Sequence, residues 1–213
     1  VAPAESAPKL EVSYQGEDYD LTLTGATKEL SPVVFARGED LIVSSETTPG
    51  LAWRLSIVKG RFAIAKTASW KTAKAQPAWA KPPATKTPRD ALTQLATLLR
   101  FGGSVPGLER YFTDVAVAWN VFKRGTAEPY QRSMPGTAVV STWDGAGYPI
   151  VRGTIKVTGR CASVPANAAS KPAAAAAPPE APHLLRLCLD ADLHVTELDT
   201  LIIAGDTETI VTP

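Results

Sequence analysis

The sequence predicts a mainly β fold: an antiparallel sandwich- or barrel-like domain carrying one short α-helix near residues 88–101. Three observations lead there. Apolar residues alternate with polar ones in many short runs, eighteen prolines and fifteen glycines punctuate 213 residues, and aromatics are only 7% of the chain. With 45% apolar residues the chain can bury a full core. The expected organisation is a flexible leader at 1–9 and one β-rich domain at 10–213, with extended loops at 68–87 and 163–183.

The elements follow in order. Residues 10–24 alternate Leu10, Val12 and Tyr14 with polar positions, turn, and resume with Tyr19, Leu21 and Leu23, which reads as a hairpin. Residues 32–35 and 40–44 are two short strands around an Arg-Gly-Glu turn. At 51–67 Leu51, Trp53, Leu55 and Ile57 share a face opposite Arg54 and Ser56, and Lys59-Gly60 closes a second hairpin. The pattern then stops. Residues 68–87 hold lysines, two tryptophans, three prolines and no acid, too polar and Pro-rich for a regular element.

Thr87-Pro88-Arg89-Asp90 is a helix start with Thr as N-cap and Pro at the first position. Leu92, Leu95 and Leu99 form its apolar face, and Gly102-Gly103 stop it. Residues 108–112 allow a further helical turn. Val115, Val117, Trp119 and Val121 alternate with small or polar residues, a strand pattern. Residues 137–143 and 148–160 read as a long hairpin, 153–161 and 184–196 as single strands, and 201–204 with 209–212 as a last hairpin.

The net charge of +1 hides segregation. Residues 1–53 hold 3 basic and 9 acidic side chains, whereas 54–110 hold 11 basic and 2 acidic. Residues 111–163 are basic again, at 6 against 3, and 164–213 acidic, at 2 against 7. Two cysteines without CxxC spacing, Cys161 and Cys188, fit one structural disulfide in an oxidising compartment. On strand parity, Cys161 lies with Val151, Ile155 and Val157 while Cys188 lies with charged residues. A bridge within one sheet would then need a bulge at Gly159, or else the bridge links two sheets. The start, VAPAESAP, reads as a mature N-terminus, and no apolar run reaches the ~18 residues needed to cross a bilayer as a helix. Together these place the chain outside the cytoplasm, in the periplasm, at the cell surface or secreted.

No catalytic constellation emerges. Residues 102–107 miss the nucleophile elbow because Pro106 stands where Gly is required, and Ser56 with Lys59 lies in a strand rather than at a helix start. No phosphate-binding glycine loop occurs, and no cofactor is expected. Asp190, Asp192 and His194 at i, i+2 and i+4 would share one face of a strand and form a weak candidate metal site. The competing reading is a charge ladder in which Lys156 faces Asp192. The stronger candidate is the basic segment, where Lys66, Lys71, Lys74, Lys81 and Lys86 interleave with Trp70 and Trp79. Charge with stacking suits an anionic polymer or an acidic protein surface. Acidic flanks and the lack of any RNA- or DNA-binding motif argue against nucleic acid. The bland counterpart is a loop that wraps the chain's own acidic regions.

These features point to a non-enzymatic structural or interaction subunit of an extracytoplasmic assembly. Its partners would be copies of itself or other envelope components. The alternative is a carrier for an anionic small molecule or polymer, and a metal-dependent enzyme is the third reading.

Overall fold

The computed structural model describes residues 7–14, 17–27, 29–101, 106–123, 129–142, 154–165 and 183–202. Among them the chain is mainly β, with twelve strands in three mostly antiparallel sheets and two short helices. The first hairpin forms as its alternation requires. β1 (Lys9–Tyr14) and β2 (Glu17–Thr22) pair antiparallel, with Leu10 opposite Leu21 and Val12 opposite Tyr19. Its start lies earlier than expected: Lys9 is in β1, and the Pro8 carbonyl accepts the Leu23 N–H at 2.9 Å.

β3 (Pro32–Arg37), β4 (Asp40–Ser45), β5 (Leu51–Val58) and β6 (Arg61–Ser69) form a four-stranded antiparallel meander. Val34, Ala36, Leu41, Val43, Trp53 and Leu55 line its inner face and are essentially fully buried. The helix α1 (Pro88–Leu98) begins where the cap signal places it. The Thr87 hydroxyl accepts the Asp90 N–H, and the Asp90 carboxylate accepts the Thr87 N–H, a reciprocal box.

α1 touches two sheets. Its Gln94 side chain treats Ala36 as a strand neighbour would: Oε1 accepts the Ala36 N–H at 2.8 Å and Nε2 donates to the Ala36 carbonyl at 2.9 Å. Thr97 adds a bond from Oγ1 to the Gly38 carbonyl at 2.6 Å. The helix thus closes the open β3 edge of the meander, removing a site for unwanted strand pairing. It also packs on the six-stranded sheet.

That sheet runs β8-β7-β12-β11-β10-β9. Its strands are β7 (Ala116–Lys123), β8 (Tyr130–Pro135), β9 (Lys156–Thr158), β10 (Cys161–Pro165), β11 (His183–Leu189) and β12 (Val195–Ile202). Every pairing is antiparallel except β7 with β12. Val117, Trp119, Leu198, Leu187, Leu185, Ala162 and Val164 make its inner face, and one apolar cluster runs from all three sheets through α1. Within it the Trp119 indole N–H donates to Thr200 Oγ1 at 3.0 Å.

Several expectations are corrected. The runs at 153–161 and 184–196 are not single strands. The first breaks at Gly159–Arg160 into β9 and β10, and the second breaks at 190–194 into β11 and β12. Residues 137–142 are not a strand either but most of a second helix, α2 (Gly136–Thr142). Its β-branched sequence is overridden because the preceding chain supplies acceptors: the Gly136 and Thr137 N–H groups donate to the Val115 and Thr113 carbonyls, each at 3.0 Å. A Cβ on Gly136 would stand 2.7 Å from the Thr113 carbonyl oxygen, so the close approach needs glycine. The basic segment holds two single turns of 3-10 helix, Ala73–Ala75 and Ala78–Ala80, while Ala68 and Ser69 belong to β6. Of the expected loop at 163–183, residues 163–165 end β10 and His183 opens β11. The other end of the expected 148–160 hairpin, the hairpin at 201–212 beyond Ile202, residues 1–6 of the leader and the Ala/Pro stretch at 166–182 lie outside the described residues.

Candidate functional site

The basic segment is a strap across the outer face of the four-stranded sheet. It leaves β6 where the Trp70 N–H donates to the Gly50 carbonyl at 2.7 Å. Gly50 has φ +86, and a Cβ there would lie 2.0 Å from the Trp70 carbonyl oxygen, so only glycine lets the strap cross here. The Ala78–Ala80 turn then rests on β4 and β5. Beneath it Phe35, Ile42, Ala52 and Ala80 are at most 2% exposed and form an apolar layer separate from the main cluster. Two hydrogen bonds fix the far end, Arg37 Nη2 to the Lys81 carbonyl and Gln76 Nε2 to the Ala80 carbonyl, both 2.8 Å.

Apolar contact and hydrogen bonds to its backbone therefore hold the strap, and none of its own lysines forms an ion pair among the described residues. Lys66, Lys71, Lys74, Lys81 and Lys86 are all exposed, and Trp70 and Trp79 are half-buried. The Lys66 ammonium stands 5.8 Å from the centre of the Trp79 ring, a cation–π distance. Among the described residues none of the five lysines is within ion-pair distance of a carboxylate. The strap does lie on its own chain, yet it does not neutralise the chain's acidic strands. The structure places Trp70, Lys71, Lys74, Trp79 and Lys81 on the strap, Lys66 beside it on β6 and Lys86 just ahead of α1, with all five lysines exposed.

The cysteines are bridged. Cys161 and Cys188 face each other across β10 and β11 with Cα atoms 4.0 Å apart. The bridge lies within one sheet and needs no bulge at Gly159, because the Gly159–Arg160 turn separates the two runs and resets their parity. The charge ladder fails for the same reason. Lys156 in β9 pairs with Ser163 of β10, which stands between β9 and β11. The charge matching on this sheet centres instead on Arg186, which donates to Glu197 at 2.9 Å and to Asp199 at 3.1 Å. Asp199, on the same outer face, also accepts Asn120 Nδ2 at 2.7 Å.

Asp190, Asp192 and His194 lie in the β11–β12 turn rather than along a strand, with one ligand atom from each within 4.8 Å of the others. Asp190 is already committed. Its Oδ1 accepts the Asp192 and His194 N–H groups, each at 2.9 Å, and its Oδ2 lies 3.2 Å from His194 Nδ1. These bonds, first that of the His194 N–H, hold its carboxyl below the usual range. The arrangement is what a turn-closing aspartate requires. His183, at the start of β11, is half-buried, and burial pushes its pKa below the ordinary histidine value.

Two features escaped sequence reasoning. One is Gln94, whose polar side chain on an amphipathic helix gives no sign that it faces a sheet edge. The other is the outer face of the β1–β2 hairpin, where Glu11 lies opposite Asp20 and Ser13 opposite Asp18. The signal was available in the period-2 placement of acids between 11 and 20, read only as polar alternation. No protein-family model matches the chain, and no curated protein or solved structure is significantly similar to it.

Proposed function

We propose that this chain is a non-enzymatic structural or interaction subunit of an extracytoplasmic assembly, docking an acidic surface with its lysine strap. One observation carries the reading: the strap is fixed by apolar packing while its lysines stand outward without carboxylate partners among the described residues. Unpaired charge on a pre-ordered element favours fast, salt-sensitive association, and it costs little backbone ordering on binding. The disulfide supports an oxidising compartment. The commitment of Asp190 to its own turn supports a structural role for the one metal-like cluster singled out in the sequence.

The test uses immobilised poly-L-glutamate as an acidic probe. Wild-type protein should bind at 20–50 mM salt and release near ~200 mM, where surface charges are strongly screened. The triple variant Lys71→Gln, Lys74→Gln, Lys81→Gln should bind about tenfold more weakly. Equal binding by both proteins would overturn the reading. The carrier alternative gains support from Lys66 beside the half-buried Trp79, a pair able to hold an anionic group against a ring. An anion that quenches tryptophan fluorescence at stoichiometric concentration would favour that reading over docking.

A further inference from the structure

We infer that the acidic outer face of the β1–β2 hairpin is the docking surface for the lysine strap of a second copy of this chain. The inference rests on the docking role proposed for the strap and names its partner.

The hairpin's inner face is fully used. Leu10 and Val12 are buried, and Tyr14, Tyr19 and Leu21 pack on the same cluster. Tyr14 bridges to Phe101 as an isolated strand pair, with their rings 5.4 Å apart, and Phe62 lies 4.9 Å from Phe101. Arg100, only 4% exposed, stands 5.7 Å from the Tyr14 ring and donates Nη2 to its hydroxyl at 3.3 Å. The hairpin is therefore held from behind, and its other face looks outward in a fixed orientation.

That outward face is acidic in register. Glu11 stands directly across from Asp20, and Asp18 lies one pair further along the same face. Like charges opposite each other in an antiparallel pair are unfavourable. Among the described residues the one local offset is Lys9, whose Nζ lies 3.2 Å from Asp20 with both side chains more than half exposed. Such exposed pairs contribute little. A cationic partner would relieve the Glu11–Asp20 repulsion, and the strap is the most basic element described.

Within one chain no ion pair joins the two surfaces among the described residues. They are complementary between copies. Two copies can satisfy both contacts reciprocally about a two-fold axis, or each copy can pass its strap to the next in a ring or filament.

Sedimentation velocity on the full chain tests this at low and high salt. Concentration-dependent association should appear at ~20 mM NaCl and vanish at ~500 mM, where the screening length falls to a few ångströms. Lys71→Glu with Lys74→Glu should weaken association about tenfold or more, and so should Asp18→Lys with Asp20→Lys. Mixing the two reversed variants should restore it, because each then carries the surface the other needs. Association that survives the hairpin reversal overturns the inference. A strict monomer that still binds poly-L-glutamate through the strap overturns this inference alone, and a chain that does neither overturns the docking role as well.

Discussion

Both larger sheets carry a matched pair on the outer face, Arg54 with Asp40 on the four-stranded one, but the strap over the four-stranded sheet adds cations that are unmatched among the described residues. On the six-stranded sheet, Arg186 is matched by Glu197 and Asp199, Asp199 by Asn120, and the Cys161–Cys188 bridge closes one end of the same face. On the four-stranded sheet, the strap is seated by alanine, phenylalanine and isoleucine, and its lysines meet no carboxylate among the described residues. Charge matched inside the chain stabilises the fold and leaves nothing for a partner. Unmatched charge on a well-seated element adds little to stability and is available for docking. On the function proposed above, the first face is scaffold and the strap over the second is the contact surface.

The largest expected effect tests the scaffold. The bridge joins residues 27 apart in sequence. In the chain-entropy account, closing such a loop stabilises the fold by about 3.6 kcal/mol. The double variant Cys161→Ala, Cys188→Ala should lose about that much in urea unfolding, with no change in strap-dependent binding under native conditions. A loss below ~1 kcal/mol would mean that the strands hold themselves without the bridge.

Next in size is Asp199, whose side chain is 9% exposed and accepts from both Asn120 and Arg186. Removing one partner of a buried ion pair costs about 3–5 kcal/mol. Arg186 keeps Glu197 and is partly solvated, so about 2 kcal/mol is expected for Asp199→Ala. Glu197→Gln, at a half-exposed carboxylate, should cost under ~1 kcal/mol. Equal costs for the two would show that the matching on this face is not graded by burial.

Smaller again is the cap of α1, the helix shared by both sheets. Thr87→Ala should cost about 1 kcal/mol. The Lys86 backbone N–H first, and then the Thr87 hydroxyl, hold the Asp90 carboxyl below the usual carboxylate range. A folded pKa below the unfolded one contributes stability that is complete above the unfolded value, near ~3.9. It is lost as pH falls through the folded value. The stability gap between wild type and Asp90→Asn should therefore be full at neutral pH and shrink in acid, as chemical denaturation between pH 7 and about 2.5 would show.

How much of this was legible in the sequence follows from what each feature depends on. The hairpins at 9–22 and 51–69 and the start of α1 were readable because alternation, turn and cap residues are local signals. The helix at 136–142 was not, because its first N–H groups are met by carbonyls of the preceding loop, a tertiary fact. The parity argument over the cysteines failed on one unrecognised turn at Gly159–Arg160, since a single turn between two runs resets every face beyond it. The lysines and tryptophans of the strap were identifiable by composition. What they rest on was not, because Phe35 and Ile42 read as ordinary strand residues and only the fold shows them facing outward under Ala80.

The smallest expected effect tests the comparison most directly. Lys71, Lys74 and Lys81 are exposed and unpaired among the described residues, so replacing all three by Gln removes no buried contact and leaves no group unsatisfied. Surface changes of that kind shift stability by no more than about 0.5 kcal/mol each. Relief of repulsion among neighbouring lysines can make the net change slightly favourable. Lys66 is left out of the set because its ammonium stands over Trp79, where an exposed cation–π contact contributes about 0.5–1 kcal/mol. The triple variant should thus unfold within ~1 kcal/mol of wild type while its retention on poly-L-glutamate collapses. A loss of 2 kcal/mol or more would mean that these charges are matched within the chain after all. The two outer faces would then be scaffold alike, and the contact surface would have to be sought elsewhere.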